Sequence, residues 1–359
     1  MSLGQSRRGL ALAATVAAIV LAGCSTPEPA PAPVVAPPPP PPPPPALSLN
    51  DGVAQAASIY VTFMRDVGTI QAGFPDAESI QAAIRRGAAY EPAQLSRGLI
   101  AYGSILALQS PEYVAGVRSF ANDPAQRQEV VNRIIADPAY AATLPGADHA
   151  AGLIIATVGQ DIAALTAIAD AVEQDAYTIQ ERRDPRRRWA TTHISNREAR
   201  LESTKTLSAR QMLPSPEESA RLFAAANTGS GLGITGRQAA PYTPAVINSL
   251  AIAALAALGA GGDDGRAQTE ALTVEADSEF CFSMSKLNLF QCLAASRPSY
   301  EDMFCLGRHI MRDLATCSAR TAVPVTPASS SDHSSAPGQS EVAAQAAAAA
   351  SVSAARGSN

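Results

Sequence analysis

The chain has 359 residues, of which 47% are hydrophobic, 16% charged and 5% aromatic, and its formal net charge is −5. This charge balance excludes the strongly basic surface of typical nucleic-acid-binding proteins, so we expect no nucleic-acid partner. Abundant alanine, few aromatic residues and scarce strand periodicity favour an all-α fold whose helices approach closely through small side chains.

The N-terminus carries the features of an export signal. Arg7 and Arg8 precede an apolar run, residues 9–20, that is too short to span a bilayer comfortably. Leu21-Ala22-Gly23-Cys24 then places two small residues directly before a cysteine. This tetrapeptide resembles the lipobox of bacterial lipoproteins, and the resemblance is confined to the first 24 residues. It implies a signal peptide over residues 1–23 and acylation of Cys24.

The same resemblance implies where in the cell the protein is located. Ser25 follows the cysteine, and the absence of aspartate there implies sorting to the outer membrane. Several acyl chains would hold the protein stably at its periplasmic face. Two alternatives stay open: an uncleaved N-terminal membrane helix, and export in the folded state through the twin-arginine pattern at Ser6-Arg7-Arg8-Gly9-Leu10.

Low-complexity segments flank the part of the chain that can fold. Residues 24–46 form a proline-rich linker with an unbroken run from Pro37 to Pro45. An extended polyproline II rod of this length would reach roughly 70 Å, at ~3.1 Å per residue. The linker is either a spacer towards the cell wall or a passive, disordered tether. Residues 323–359, rich in serine and alanine, predict a disordered tail.

Residues 47–262 predict a helical bundle domain. Proline directly after a capping residue marks a helix start, and this pattern occurs at Ser110-Pro111, Asp123-Pro124, Asp137-Pro138, Asp184-Pro185 and Ser215-Pro216. Ser215 and Glu218 also have the spacing of a capping box. The apolar run from Thr243 to Leu258 predicts a buried core helix, with a marginal membrane span as the alternative.

The longest predicted helix runs from about Asp148 to Arg183. Apolar residues recur along it at alternating intervals of three and four, which is typical of a heptad stripe: Ile155, Val158, Ile162, Leu165, Ala169, Val172, Ala176 and Ile179. Alanine at two stripe positions favours close packing inside one domain. An intermolecular coiled coil, and with it a homo-oligomer, is the alternative.

One basic cluster follows this helix and surrounds the single tryptophan. It consists of Arg182, Arg183, Arg186, Arg187, Arg188 and Trp189. Such a cluster could contact an anionic surface, namely lipid headgroups, lipopolysaccharide phosphates or an acidic partner. The alternative is a solvated connection between helices with local acidic partners.

Four cysteines remain after Cys24, and an even number in an oxidising compartment predicts two disulfides. They lie in a second predicted unit, residues 266–322, beyond a glycine-rich boundary at residues 259–265. Arg297-Pro298 divides this unit into two helices, and Ser299 with Asp302 forms a helix-start pattern.

In an antiparallel helical hairpin, facing residues have a nearly constant sum of positions. Cys292 and Cys305 add to 597, and Cys281 and Cys317 add to 598. The one-residue offset is ~1.5 Å along a helix, whereas Cys281 and Cys292 within one helix would lie about 16 Å apart. We therefore predict the pairs Cys281–Cys317 and Cys292–Cys305, with four reduced cysteines as the alternative.

No motif indicates a metal or a cofactor. The four histidines are scattered, and the glycine pattern at residues 231–236 lacks the preceding strand of a dinucleotide site. Glu78-Ser79 and Glu218-Ser219 have the Glu-Ser order of lytic transglycosylases, but both lie in ordinary first turns of helices. We expect a non-catalytic structural or interaction module that binds an envelope protein, peptidoglycan or another copy. The alternative is a peptidoglycan hydrolase or a regulator of one.

The anchor is testable directly. Mass spectrometry of the purified mature protein should find Cys24 as the first residue, with added hydrocarbon, because cleavage and acylation occur at the same cysteine. A mature chain that begins elsewhere, or carries no acyl group, would contradict both the anchor and the assigned compartment.

Overall fold

A computed structural model of the chain describes residue 43 and residues 45–182 and 185–324. The predicted lipobox, most of the proline run and the serine- and alanine-rich tail lie outside these residues. Within them the structure is helical, and only two isolated bridges pair extended backbone. The predicted all-α fold is confirmed.

Thirteen α-helices follow one another along the described residues. They are α1 (Asp51–Val67), α2 (Ala77–Ala88), α3 (Pro92–Leu108), α4 (Pro111–Arg118), α5 (Pro124–Ala136), α6 (Ala147–Arg182), α7 (Arg197–Ser208), α8 (Pro216–Thr228), α9 (Pro244–Ala257), α10 (Arg266–Leu272), α11 (Ala276–Ala295), α12 (Ser299–Leu306) and α13 (Asp313–Ala322). Single 3₁₀ segments cover Ser119–Ala121, Pro138–Thr143, Pro185–Thr191 and Asp263–Gly265, and a π-helical segment, Gly307–Arg312, joins α12 to α13.

Helix α3 lies at the centre of the bundle and contacts α1, α9, α6 and α11. Two of its glycines allow neighbouring backbones to approach closely. A Cβ atom at Gly98 would lie 2.7 Å from the carbonyl oxygen of Ala56 on α1, and one at Gly103 would lie 2.5 Å from Oγ of Ser249 on α9. Small residues therefore set the distances between the central helices, as the alanine-rich composition predicts.

The two apolar segments singled out in the sequence form core helices. α9 is buried on all sides, with Thr243 capping its first turn. α6 is the one described helix that is long and apolar enough to cross a membrane, but its stripe packs against α12, α13 and the segment between them. Six stripe residues are buried: Val158, Leu165, Ala169, Val172, Ala176 and Ile179. The prediction of an internal bundle helix is confirmed.

The predicted helix starts also occur where proline follows a capping residue. The preceding side chain accepts a backbone hydrogen bond from the first turn at Ser110, Asp123, Asp137 and Ser215. Asp184 lies outside the described residues. These caps satisfy N–H groups that have no partner within the helix.

The four cysteines form the two disulfides that their register predicts. Cys281 pairs with Cys317 and Cys292 with Cys305, with Cα atoms 5.6 and 5.7 Å apart. Helix α11 runs antiparallel to the continuous helix formed by α12, the π-helical segment and α13. Within the predicted unit of residues 266–322, the first hairpin helix begins at Ala276, and the separate short helix α10 precedes it.

The π-helical segment accounts for the one-residue offset between the two cysteine pairs. Cys292 lies eleven positions after Cys281, whereas Cys317 lies twelve positions after Cys305. A π-helical hydrogen bond runs from i to i+5 and so encloses one residue more than the α-helical bond from i to i+4. The extra residue is absorbed between the two disulfides, so both pairs face each other.

The disulfide hairpin shares a hydrophobic core with the preceding helices, since α11 contacts α3 and α13 contacts α6. The glycines that predicted a boundary at residues 259–265 instead form a turn between α9 and α10. Gly259 has φ +72°, and Gly261 accepts a hydrogen bond of 2.9 Å from the backbone N–H of Asn50. These glycines therefore allow a tight turn against the start of α1 and do not form a flexible linker.

Two glycine-to-alanine substitutions should have opposite effects on stability. Gly98→Ala should lower the free energy of unfolding by about 1–3 kcal/mol, because the new methyl group overlaps α1. Gly159→Ala on α6, where no atom lies within 4 Å of the added Cβ, should raise it by up to about 1 kcal/mol through helix propensity. Denaturant unfolding measures both values, and equal effects would contradict the close approach of α1 and α3.

Candidate functional site

A cleft of about 520 Å³ opens between α2 and α7. We call it the Trp189 cleft, because the only tryptophan of the chain lies in its wall. α2 contributes Glu78, Gln81 and Arg85, and α7 contributes Arg200 and further polar residues. The segment of residues 189–196 and the start of α12 complete the lining.

The disulfide hairpin holds the wall formed by residues 189–196. His193 pairs with Pro298 in an isolated antiparallel bridge, and the backbone N–H of Ile194 donates to the carbonyl of Arg297 at 2.8 Å. One turn further, Nε of Arg197 donates to the carbonyl of Ser296 at 2.7 Å. All three contacts reach the turn between α11 and α12, which the Cys292–Cys305 disulfide closes.

Gln81 and Arg200, which line the cleft, both bind the buried carboxylate of Asp302. The ion-paired side chains of Arg200 and Asp302 are 6% and 0% exposed. Gln81 and Ser296 each donate a hydrogen bond of 2.6 Å to Asp302, and Arg200 also donates to the carbonyl of Leu293. Burial raises the pKa of Asp302, although the hydrogen bond from Ser296 and the charge of Arg200 act in the opposite direction.

Arg200 leaves one polar atom without a partner. Its Nε is buried and has no hydrogen-bond acceptor, while its two other nitrogens are bound. Buried donors without acceptors are rare in folded proteins, because they lose their hydration without replacement. This atom belongs to a side chain that lines the cleft.

The structure distributes the predicted basic cluster over the end of α6 and the segment before the cleft. The side chains of Arg182, Arg186 and Arg188 are exposed, and Arg183 lies outside the described residues. Arg187 forms an ion pair with Asp175 on α6. Trp189 is half-buried and packs against the core. The cluster is thus partly a local connection with an acidic partner and partly a set of solvent-exposed arginine side chains.

The two glutamates with a following serine lie in different surroundings. Glu78 lines the Trp189 cleft with a side chain that is 77% exposed and an ion pair of 2.7 Å to Arg85. Glu218 accepts from Arg65 and Arg221 instead of returning to Ser215, so the predicted capping box is only half formed. Burial alone would raise the pKa of Glu218, but the hydrogen bonds from both arginines lower it below its ordinary value.

A second concave surface, of about 590 Å³, lies between α11 and α13 beside the Cys281–Cys317 disulfide. Phe280 and Met284 line it and Leu287 continues their stripe, with exposures of 66%, 36% and 46%. Intervals of four and three residues place these side chains on one face of α11. The stripe is therefore a contiguous apolar patch on the hairpin.

The sequence singled out Trp189 and Glu78 separately, and the structure brings them to one cleft. The sequence pattern gave no indication that Arg200 or Gln81 would line the cleft. Asp302 stands in a helix-start pattern, but α12 has no side-chain cap, and the carboxylate faces Arg200. The one available sequence signal for the Arg200–Asp302 pair would have been a charged residue at a helix position that faces the core.

Comparisons of the chain with models of protein families, with curated proteins and with solved structures found no match. Within the described residues, no group of three or more histidine, cysteine, aspartate or glutamate side chains could hold a metal ion. The chemistry of the cleft therefore has to be read from its own residues.

Removing the charge of Asp302 should destabilise the fold strongly. Asp302→Ala should lower the free energy of unfolding by about 3–5 kcal/mol, because Arg200 would keep a buried charge without a counter-charge. Glu202→Ala, which removes the exposed partner of Lys205, is the control and should cost less than about 1 kcal/mol.

Denaturant unfolding of Asp302→Ala and Glu202→Ala measures both free energies of unfolding. Equal decreases in the two variants would contradict a buried ion pair. The double variant Arg200→Met/Asp302→Leu should lose less than the sum of the single variants Arg200→Met and Asp302→Leu, because each single substitution leaves the other charge unpaired.

Proposed function

We propose that the chain is a lipoprotein, anchored by acylated Cys24 at the periplasmic face of the outer membrane, whose helical domain is a non-catalytic interaction module of the cell envelope. Its partner is peptidoglycan or an envelope protein, which the module reaches across the proline-rich linker. The observation that carries this proposal is the Trp189 cleft, which offers binding groups without a pair of catalytic carboxyl groups.

The composition of the cleft supports binding rather than hydrolysis. Glu78 is the only acidic residue among those described as lining it, and its carboxylate is ion-paired with Arg85. Glycoside hydrolysis commonly uses two carboxyl groups that flank the scissile bond. The remaining lining groups are an indole, the imidazole of His193, guanidinium groups, amides, hydroxyls and a few apolar side chains, and none of them supplies the second carboxyl group.

Two further features support the location and the role. Disulfides persist in oxidising compartments, and the hairpin carries two of them. The exposed stripe of Phe280, Met284 and Leu287 is the kind of apolar patch that marks interaction surfaces. Both features fit a domain that works outside the cytoplasm by contact with other envelope components.

A hydrolase acting on peptidoglycan, or a regulator of one, is the second candidate. The position of Glu78 favours it, since this glutamate precedes Ser79 and lines a cleft beside Trp189. Glu218 gives no such support, because two arginines hold it as a carboxylate, and a general acid must carry a proton.

Site-specific photocrosslinking of the full chain in cells tests the proposed role. A photoreactive amino acid at Thr192, an exposed residue on the rim of the cleft, should give an adduct with peptidoglycan or one defined envelope protein. The same substitution at Gln128, an exposed residue of α5, is the matched control and should give none. Adducts with lipid alone, or equal adducts at both positions, would overturn the proposal.

Catalysis is tested separately with purified full chain and isolated sacculi. We expect the sacculi to retain the protein without releasing soluble fragments, measured by chromatography of the supernatant. Release that Glu78→Gln abolishes would establish the hydrolase instead.

A further inference from the structure

We infer that the Trp189 cleft binds a carboxylate-bearing saccharide of the cell wall, with a sugar ring stacked on Trp189 and its acid group paired with Arg85. The inference rests on the proposed function, because it names the ligand class of that interaction module. It is carried by three observations: the aromatic wall, the polar lining and the distribution of charge.

Trp189 supplies an aromatic side chain to a cleft whose other lining residues are both polar and apolar. The indole is half-buried and packs against the core, and the backbone carbonyl of Trp189 accepts a hydrogen bond of 3.2 Å from Thr192. The ring is therefore held in place and costs little ordering on binding. The C–H face of a pyranose ring complements such a surface.

Hydroxyl and amide groups line the cleft together with the indole, and such groups can donate and accept hydrogen bonds. They belong to Gln81, Thr192, Ser195, Asn196, Ser203 and Ser299. A ligand rich in hydroxyl and acetamido groups can pair with them. An acyl chain would leave them unpaired, which is unfavourable, so the lining selects a saccharide over a lipid tail.

The charges favour an acidic saccharide over a neutral one. Among the described residues, Arg85 forms its ion pair with the exposed carboxylate of Glu78. An exposed ion pair contributes little, so a ligand carboxylate can take its place. The exposed Arg188, directly before Trp189, adds positive charge close to the cleft.

The cleft volume of about 520 Å³ lies within the range of roughly 300–1,000 Å³ that is usual for small-ligand sites.

The sole tryptophan makes the test direct, because all tryptophan emission comes from the cleft. Titration of the purified full chain in detergent with a disaccharide muropeptide should change this emission saturably. The neutral disaccharide chitobiose should bind at least tenfold more weakly, because it lacks a carboxylate.

Two neighbouring arginines on α2 provide the matched variants. Arg85→Ala should weaken muropeptide binding at least tenfold, whereas Arg86→Ala, which alters a side chain paired with Asp66 outside the cleft, should leave it unchanged. Circular dichroism checks that both variants are folded. Equal effects of the two substitutions would overturn the assignment of Arg85.

Other outcomes separate the inference from the proposed function. Unchanged emission with muropeptide, in a chain that still crosslinks to an envelope partner through Thr192, would overturn the saccharide site and leave the interaction module standing. Tighter binding of a phosphorylated lipopolysaccharide core oligosaccharide would overturn the cell-wall source. Saturable muropeptide binding without any crosslink in cells would support the site and overturn the module.

Discussion

The buried ion pair between Arg200 and Asp302 is the interaction on which the cleft depends. Removing two charges from water is expensive and is offset only when further hydrogen bonds satisfy both groups. Gln81 and Ser296 provide them for the carboxylate, and the carbonyl of Leu293 provides one for the guanidinium. These groups lie on α2, α7, α11 and α12 and in the turn between α11 and α12. The hydrogen bonds that the two buried charges require therefore hold four helices together at one point.

The arginines of α7 also complete the end of α11. The last carbonyls of a helix lack partners within it, and cations are favourable beside them. Arg197 donates to the carbonyls of Ala294 and Ser296, and Arg200 donates to that of Leu293. The spacing of three residues places both guanidinium groups on the face of α7 that meets the hairpin. Helix termination and assembly of the cleft thus use the same side chains.

Local signals predicted much of the fold, because each acts within a few residues. Caps followed by proline, the stripe of α6 and the register of the cysteines all depend on short sequence intervals. Polar contacts between residues far apart in the chain leave no pattern of short intervals in the sequence. Lys286 is an example: it donates to the carbonyls of Tyr90 and Ser208, and burial lowers its pKa to about 8. Nothing near Lys286 in the sequence indicates these partners, just as nothing near Asp302 indicates Arg200.

The Cys292–Cys305 disulfide has a consequence for timing. It closes the short loop that carries Ser296, Arg297 and Pro298, the residues to which the 189–196 wall is attached. In a newly synthesised chain with reduced thiols, only non-covalent contacts keep this loop in shape. If the chain is exported unfolded, these thiols are oxidised only after translocation, and the wall of the cleft gains its covalent support outside the cytoplasm.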